Sequence, residues 1–126
     1  MSDPTYLTEA RKYIGLTEIP GAKHNTTIQK WLRSLRAWWD EDETPWCGVF
    51  VAHCVQYAGY PLPKMWMRAK AWLDWGVSVD TPQLGSVVIF DRKGGGHVGF
   101  IVGKDNAGRL LVLGGNQGNK VSVAPF

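Results

Sequence analysis

Two cysteines in 126 residues are too few for a disulfide framework. On one continuous helix Cys47 and Cys54 would stand about 10.5 Å apart along the axis, whereas a disulfide needs its Cα atoms within about 7 Å. Histidine is nearly as scarce, with only His24, His53 and His97. His53 and Cys54 are adjacent, and no Cys-x-x-Cys, His-Glu-x-x-His, calcium-loop or Walker motif occurs, so neither a metal site nor a cofactor is expected. No apolar run approaches the roughly 20 residues of a membrane span, so stable membrane insertion is not expected either. Met1-Ser2-Asp3-Pro4-Thr5 has neither a basic n-region nor an apolar h-region, which points to synthesis in the cytoplasm without a signal peptide. A net charge of +3 and a pI near 9.0 are too weakly basic to argue for nucleic acid. They do suit an anionic polymer such as a cell wall.

What is present is an ordinary soluble composition, 44% hydrophobic and 20% charged, and enough chain for one self-sufficient core spanning 1–126, expected as a monomer. Tryptophan is abundant, at seven residues. Most fit a core or helix packing, and some can line a groove for an extended substrate.

The first half reads as helical. Asp3-Pro4 opens an amphipathic helix through Leu7, Ala10 and Ile14 that stops at Gly15. Pro20-Gly21 breaks the chain, and Asn25 caps a second helix carrying Ile28, Trp31, Leu32 and Leu35. Asp40 to Glu43 form a short acidic loop. A central helix runs from about Pro45 to Ala58, and a shorter one from about Met65 to Trp75 carries Trp66, Ala69, Trp72 and Leu73. After Gly76 the pattern turns to strands: 85–90, a glycine-rich turn over 91–96, then 97–102, 109–113 and 121–123. Helices followed by an antiparallel meander define an α+β fold.

The chemistry concentrates where these halves meet. Pro45 suits the first turn of the central helix, and Cys47 would then sit where free N–H groups and the helix dipole favour negative charge. A thiol there is expected to have a lowered pKa. Cys54, inside the apolar run, reads as a small core residue. His97 opens a strand and shares a face with Gly99 and Ile101; packing of that face on the central helix would bring an imidazole to the thiol. His53 points elsewhere, about 240° around the helix from Cys47. Asn116, in Gly114-Gly115-Asn116-Gln117, follows the neighbouring strand and can supply the acceptor that orients the base. Its place beside glycine equally fits a turn.

Thr44-Pro45-Trp46-Cys47 before an apolar helix, Gly85 before a Val-rich strand, Gly96-His97-Val98-Gly99 and Gly114-Gly115-Asn116-Gln117 together resemble the papain-like NlpC/P60 and CHAP hydrolases. Within that group the likeness is to small single-domain phage and prophage members. Glu18-Ile19-Pro20-Gly21 with Asn25 resembles the group's N-terminal motif. The resemblance implies a papain-like fold with the nucleophile helix packed on a C-terminal antiparallel sheet. It makes Cys47 the nucleophile, His97 the base and Asn116 the orienting residue, and it places Trp46, Glu18 and Gln117 at the substrate. The implied function is hydrolysis of a stem-peptide amide in peptidoglycan, as in a phage-type endolysin acting on the wall after release. Acyl transfer through the same thioester and a non-catalytic wall-binding module are the alternatives. Gly48 and Ser86 depart from the family pattern, standing where a slightly larger or an acidic residue is usual.

Overall fold

The computed structural model describes residues 3–19, 25–39, 46–92 and 95–126. The Pro20-Gly21 break, His24, the acidic loop and the Thr44-Pro45 opening of the central helix lie outside the described residues. Three α-helices, α1 (Thr5–Arg11), α2 (Thr26–Ser34) and α3 (Cys47–Tyr57), and a 3-10 helix (Ala69–Asp74) are followed by β1 (Val87–Arg92), β2 (Gly95–Lys104), β3 (Leu110–Gly114) and β4 (Ser122–Pro125). Each strand pairs antiparallel with the next in the order β1-β2-β3-β4, which is the expected meander. The fold is α+β and papain-like. Among the described residues no helix is long and apolar enough to cross a membrane.

Helix α2 begins where its cap requires. The Asn25 side chain accepts hydrogen bonds from the N–H groups of Thr27 and Ile28, and Ile28, Trp31 and Leu32 are buried. Helix α1 is shorter than the apolar spacing suggests. It ends at Arg11, and Ile14, expected on the buried face, is half exposed. The reason is a competing set of backbone bonds. Gly15 N–H donates to Val121 O and Val121 N–H to Leu16 O, both at 2.8 Å, so the chain leaves the helix to lie beside residues 119–121. A bridge between Thr17 and Lys120 continues this pairing. The Met65–Trp75 segment likewise tightens to a 3-10 turn, leaving Leu73 exposed while Trp66 and Trp72 are buried. The Trp72 indole N–H donates to Trp66 O at 3.0 Å, taking a carbonyl that a regular helix would use.

Helix α3 is buried on nearly every side and forms the centre of the core. It packs on the Val98/Phe100 face of β2, where the Phe50 and Phe100 rings meet at 6.3 Å. The face expected there, that of His97, Gly99 and Ile101, is the other one. On that face Phe90, opposite His97 in register, stacks with Phe126, and both flank the His97 ring. The Cys47 sulfur therefore meets β2 near its start, at the Val98 backbone, and not across the face that carries His97.

Candidate active site

Cys47 is the first residue of α3, after Trp46 at the cap position, and is 8% exposed. Its sulfur lies within hydrogen-bonding reach of the backbone N–H groups of Val98, Gly48 and Cys47 itself. Val98 directly follows His97, so the head of the helix and the strand that carries His97 are in contact at Cys47 and Val98. Gly48 explains itself here. A Cβ at that position would come within 2.7 Å of Trp66 O and 2.8 Å of Met67 O, so the 66–67 backbone lies directly on the helix head. Ser86, the other departure, closes its own turn: its hydroxyl accepts from Gln83 N–H at 3.1 Å.

The expected lowering of the Cys47 pKa does not hold. Burial pushes the thiol up, and the Val98, Gly48 and Cys47 N–H groups, with Arg92, only partly offset it. Burial also pushes His97 down; the Gln117 hydrogen bond opposes this and the positive charge of Arg92 adds to it. Both shifts favour a neutral thiol and a neutral imidazole in the free protein.

His97 Nε2 lies 2.8 Å from Oε1 of Gln117. The orientation of that amide is set by its other end, because Nε2 of Gln117 donates to Ser122 O at 2.8 Å and Val112 O at 3.2 Å. Oε1 is thus the atom that faces the imidazole, and it can only accept. His97 Nε2 must carry the proton, which leaves Nδ1 with a free lone pair. The absence of a side chain at Gly114 makes room for the Gln117 carboxamide against His97.

This reassigns two positions. Asn116, expected to orient the imidazole, instead takes a left-handed conformation (φ 59°) in the turn, and the carboxamide on His97 is Gln117's. Gln117, expected at the substrate, is buried, with its amide engaged by His97, Val112 and Ser122. The sequence offered both carboxamides side by side; only the direction of the turn decides between them. Trp46 is also buried. Its ring packs where a Cβ at Gly115 would stand, and its indole N–H donates to Glu18 Oε1 at 3.0 Å. Glu18 is fastened in turn by its own N–H to Asn119 O at 3.0 Å. Trp46 is thus enclosed, while Glu18 stays half-buried with one carboxylate oxygen on the indole.

His53 is occupied elsewhere, as its position on the helix implied. It lies 2.8 Å from the buried Glu9 carboxylate and stacks on Trp31. Two clefts of about 520 and 370 Å³ share Tyr6, Trp75, Gly76 and Val77, and neither is lined by Cys47, His97 or Gln117.

The α+β fold, with a thiol at the head of a buried helix and an imidazole held by a carboxamide on the neighbouring strand, is that of the papain-like class. The CHAP domain model matches residues 39–116, well over half of the chain, from just before the nucleophile helix to the turn after β3. The chain belongs to the CHAP domain family, typically cysteine- and histidine-dependent amidohydrolases or peptidases that act on peptidoglycan. No curated protein and no solved structure matches it.

Proposed function

We propose that this protein hydrolyses an amide bond of the peptidoglycan stem peptide, or of its junction with the sugar, with Cys47 as nucleophile, His97 as general base and acid, and Gln117 as the residue that positions His97. The observation that carries this reading is the fixed amide of Gln117, which leaves His97 Nδ1 as the basic atom beside the strand residue that touches the Cys47 sulfur.

The thiol proton passes to Nδ1 as the sulfur attacks the carbonyl carbon, and the C=O π pair moves to oxygen. The N–H of Cys47 at the start of α3 has no intrahelical partner and is a natural donor to that oxyanion. Collapse breaks the C–N bond, the imidazolium proton goes to the leaving nitrogen, and a thioester remains. A water then gives a proton to Nδ1 and attacks the thioester carbon. The C–S bond breaks and the sulfur recovers its proton, leaving one carboxylic acid and one amine. Starting from a neutral pair, the cost of forming the ions falls within the reaction, where the N–H groups around the sulfur stabilise the developing thiolate.

The biological setting we infer is that of a phage-type lytic enzyme, made in the cytoplasm and working as a monomer on the wall after release. Digesting purified peptidoglycan with the protein and identifying the new termini by mass spectrometry tests the reaction and names the bond. New amide-derived termini formed by the parent and not by Cys47→Ala are the expected result. Unchanged peptidoglycan, or equal digestion by both, overturns the mechanism.

A further inference from the structure

Helix α2 ends in a Schellman arrangement: Arg36 N–H donates to Arg33 O at 3.1 Å and Ala37 N–H to Leu32 O at 2.9 Å. Arg36 takes φ 59°, a left-handed conformation more usual for glycine. The reversal delivers Trp38 and Trp39 directly after it. Trp38 is 87% exposed, which is extreme for the largest apolar side chain and contributes little to the core. It is not isolated, however. Its ring meets Trp39 edge-on at 5.0 Å, and Trp39 stacks on Trp66 at 6.0 Å with 26° between planes. Trp66 is buried and anchored through its carbonyl, which accepts from Trp72 and lies against Gly48, the neighbour of Cys47. A ladder of three indoles thus runs from solvent to the residue beside the nucleophile.

We propose that the Trp38–Trp39–Trp66 ladder is a glycan subsite, with the exposed Trp38 ring stacking on an N-acetylated amino sugar of the strand whose stem peptide enters at Cys47. This rests on the reading of peptidoglycan as substrate. A pyranose ring offers a flat C–H face with a polar rim, the complement of an indole held edge-on and solvent-facing. Continuity with the nucleophile helix favours the substrate's own sugar over an unrelated partner, since a polymer cut at Cys47 must pass its next groups over the adjoining surface. The half-buried Trp39 and the buried Trp66 keep Trp38 on a rigid support, which lowers the ordering cost of binding.

The test separates binding from turnover. In a Cys47→Ala background, titration with tetra-N-acetylchitotetraose by calorimetry should give saturable binding. Adding Trp38→Ala should weaken it about tenfold, the effect of losing one indole face, and Trp38→Tyr should restore most of it. In the active protein, the preference for a muropeptide over the same stem peptide without sugar should fall about tenfold with Trp38→Ala, mainly through KM. Removing the exposed Val77 side chain by Val77→Ser should leave that preference where it was. Equal chitotetraose binding with and without Trp38, or an unchanged preference, overturns the subsite. Sugar binding that depends on Trp38 in a protein unable to cut peptidoglycan would uphold the subsite and remove the hydrolase reading.

Discussion

Oε1 of Gln117 accepts from Nε2 of His97 at 2.8 Å, while the same side chain's Nε2 links the middle of β3 to the start of β4 by donating to Val112 O and Ser122 O. One amide therefore ties together the imidazole tautomer and the closure of the sheet. Replacing Gln117 by Ala should lower kcat on the order of tenfold to a hundredfold, since the base survives but loses its orientation. It should also depress Tm, because two carbonyls lose a buried donor. Asn116→Ala should cost some stability through its left-handed turn position and leave turnover in the folded molecules near normal. Rate and melting temperature measured on both variants decide the assignment; a slow Asn116→Ala beside a normal Gln117→Ala would reverse it.

The two cysteines should behave differently towards alkylating reagents. Cys47 retains some exposure at the helix head, whereas Cys54 is fully buried, and its thiol is pushed well above the ordinary 9.0, chiefly by desolvation. Iodoacetamide on the native protein should modify Cys47 and stop hydrolysis; peptide mapping should find Cys54 unmodified until the protein is unfolded. Cys47→Ala should be inactive with a near-parental Tm. Cys54→Ala should stay active and lose about 1–2 kcal/mol, as a small core truncation.

The pH dependence follows from the directions of the two shifts. Protonation of His97 removes the base, and its folded pKa lies below the ordinary 6.5, so kcat/KM should fall on an acid limb centred below that value. The thiol lies above its ordinary 9.0, so no alkaline gain from its ionisation should be seen at neutral pH. Stability should move the same way. His97 and His53 are both depressed by burial, so the unfolded chain binds protons more readily. Their contribution is present above about pH 6.5 and is lost as the pH falls through and below it. A rate profile and a series of melting curves from pH 5 to 9 check both; an acid limb above 6.5 would contradict the first.

At Arg36, the left-handed backbone that reverses the chain after α2 carries a side chain where glycine is better suited. Arg36→Gly should raise stability by about 0.5–1 kcal/mol, the relief of backbone strain exceeding the entropy that glycine adds to the unfolded chain. A fall in the denaturation midpoint would show that the guanidinium makes a compensating contact.

The parts of this fold written in local pattern were legible. Asn25 names its helix, the apolar run names α3, and alternating strands with Asp-Asn-Ala-Gly between them name a meander. What local pattern could not show is where distant segments compete. Ile14 has perfect helical spacing, but the backbone of residue 121 takes the donor that would have extended α1. His97 stands on a face that strand alternation identifies correctly, yet which face meets the helix depends on Phe50 and Phe100. Gly48 looks like a departure from its family until the 66–67 carbonyls are seen lying on it. The thiol pKa departs from expectation for the same reason, since burial under distant segments outweighs the lowering by the N–H groups at the helix head.

The bridge that joins residues 15–18 to 119–121 has a consequence for biosynthesis. Gly15, Leu16, Thr17 and Glu18 are translated long before their partners Asn119, Lys120 and Val121. Glu18, which accepts from the Trp46 indole next to Cys47, cannot be fastened until then, and Gln117 emerges only just before. Such long-range closures are slow to form and do not grow outward from an early nucleus. The nascent polypeptide therefore carries its thiol and its imidazole as separate, unassembled groups until residues 117–121 have been made. Assembly of the site is withheld by chain topology until the 117–121 segment has emerged.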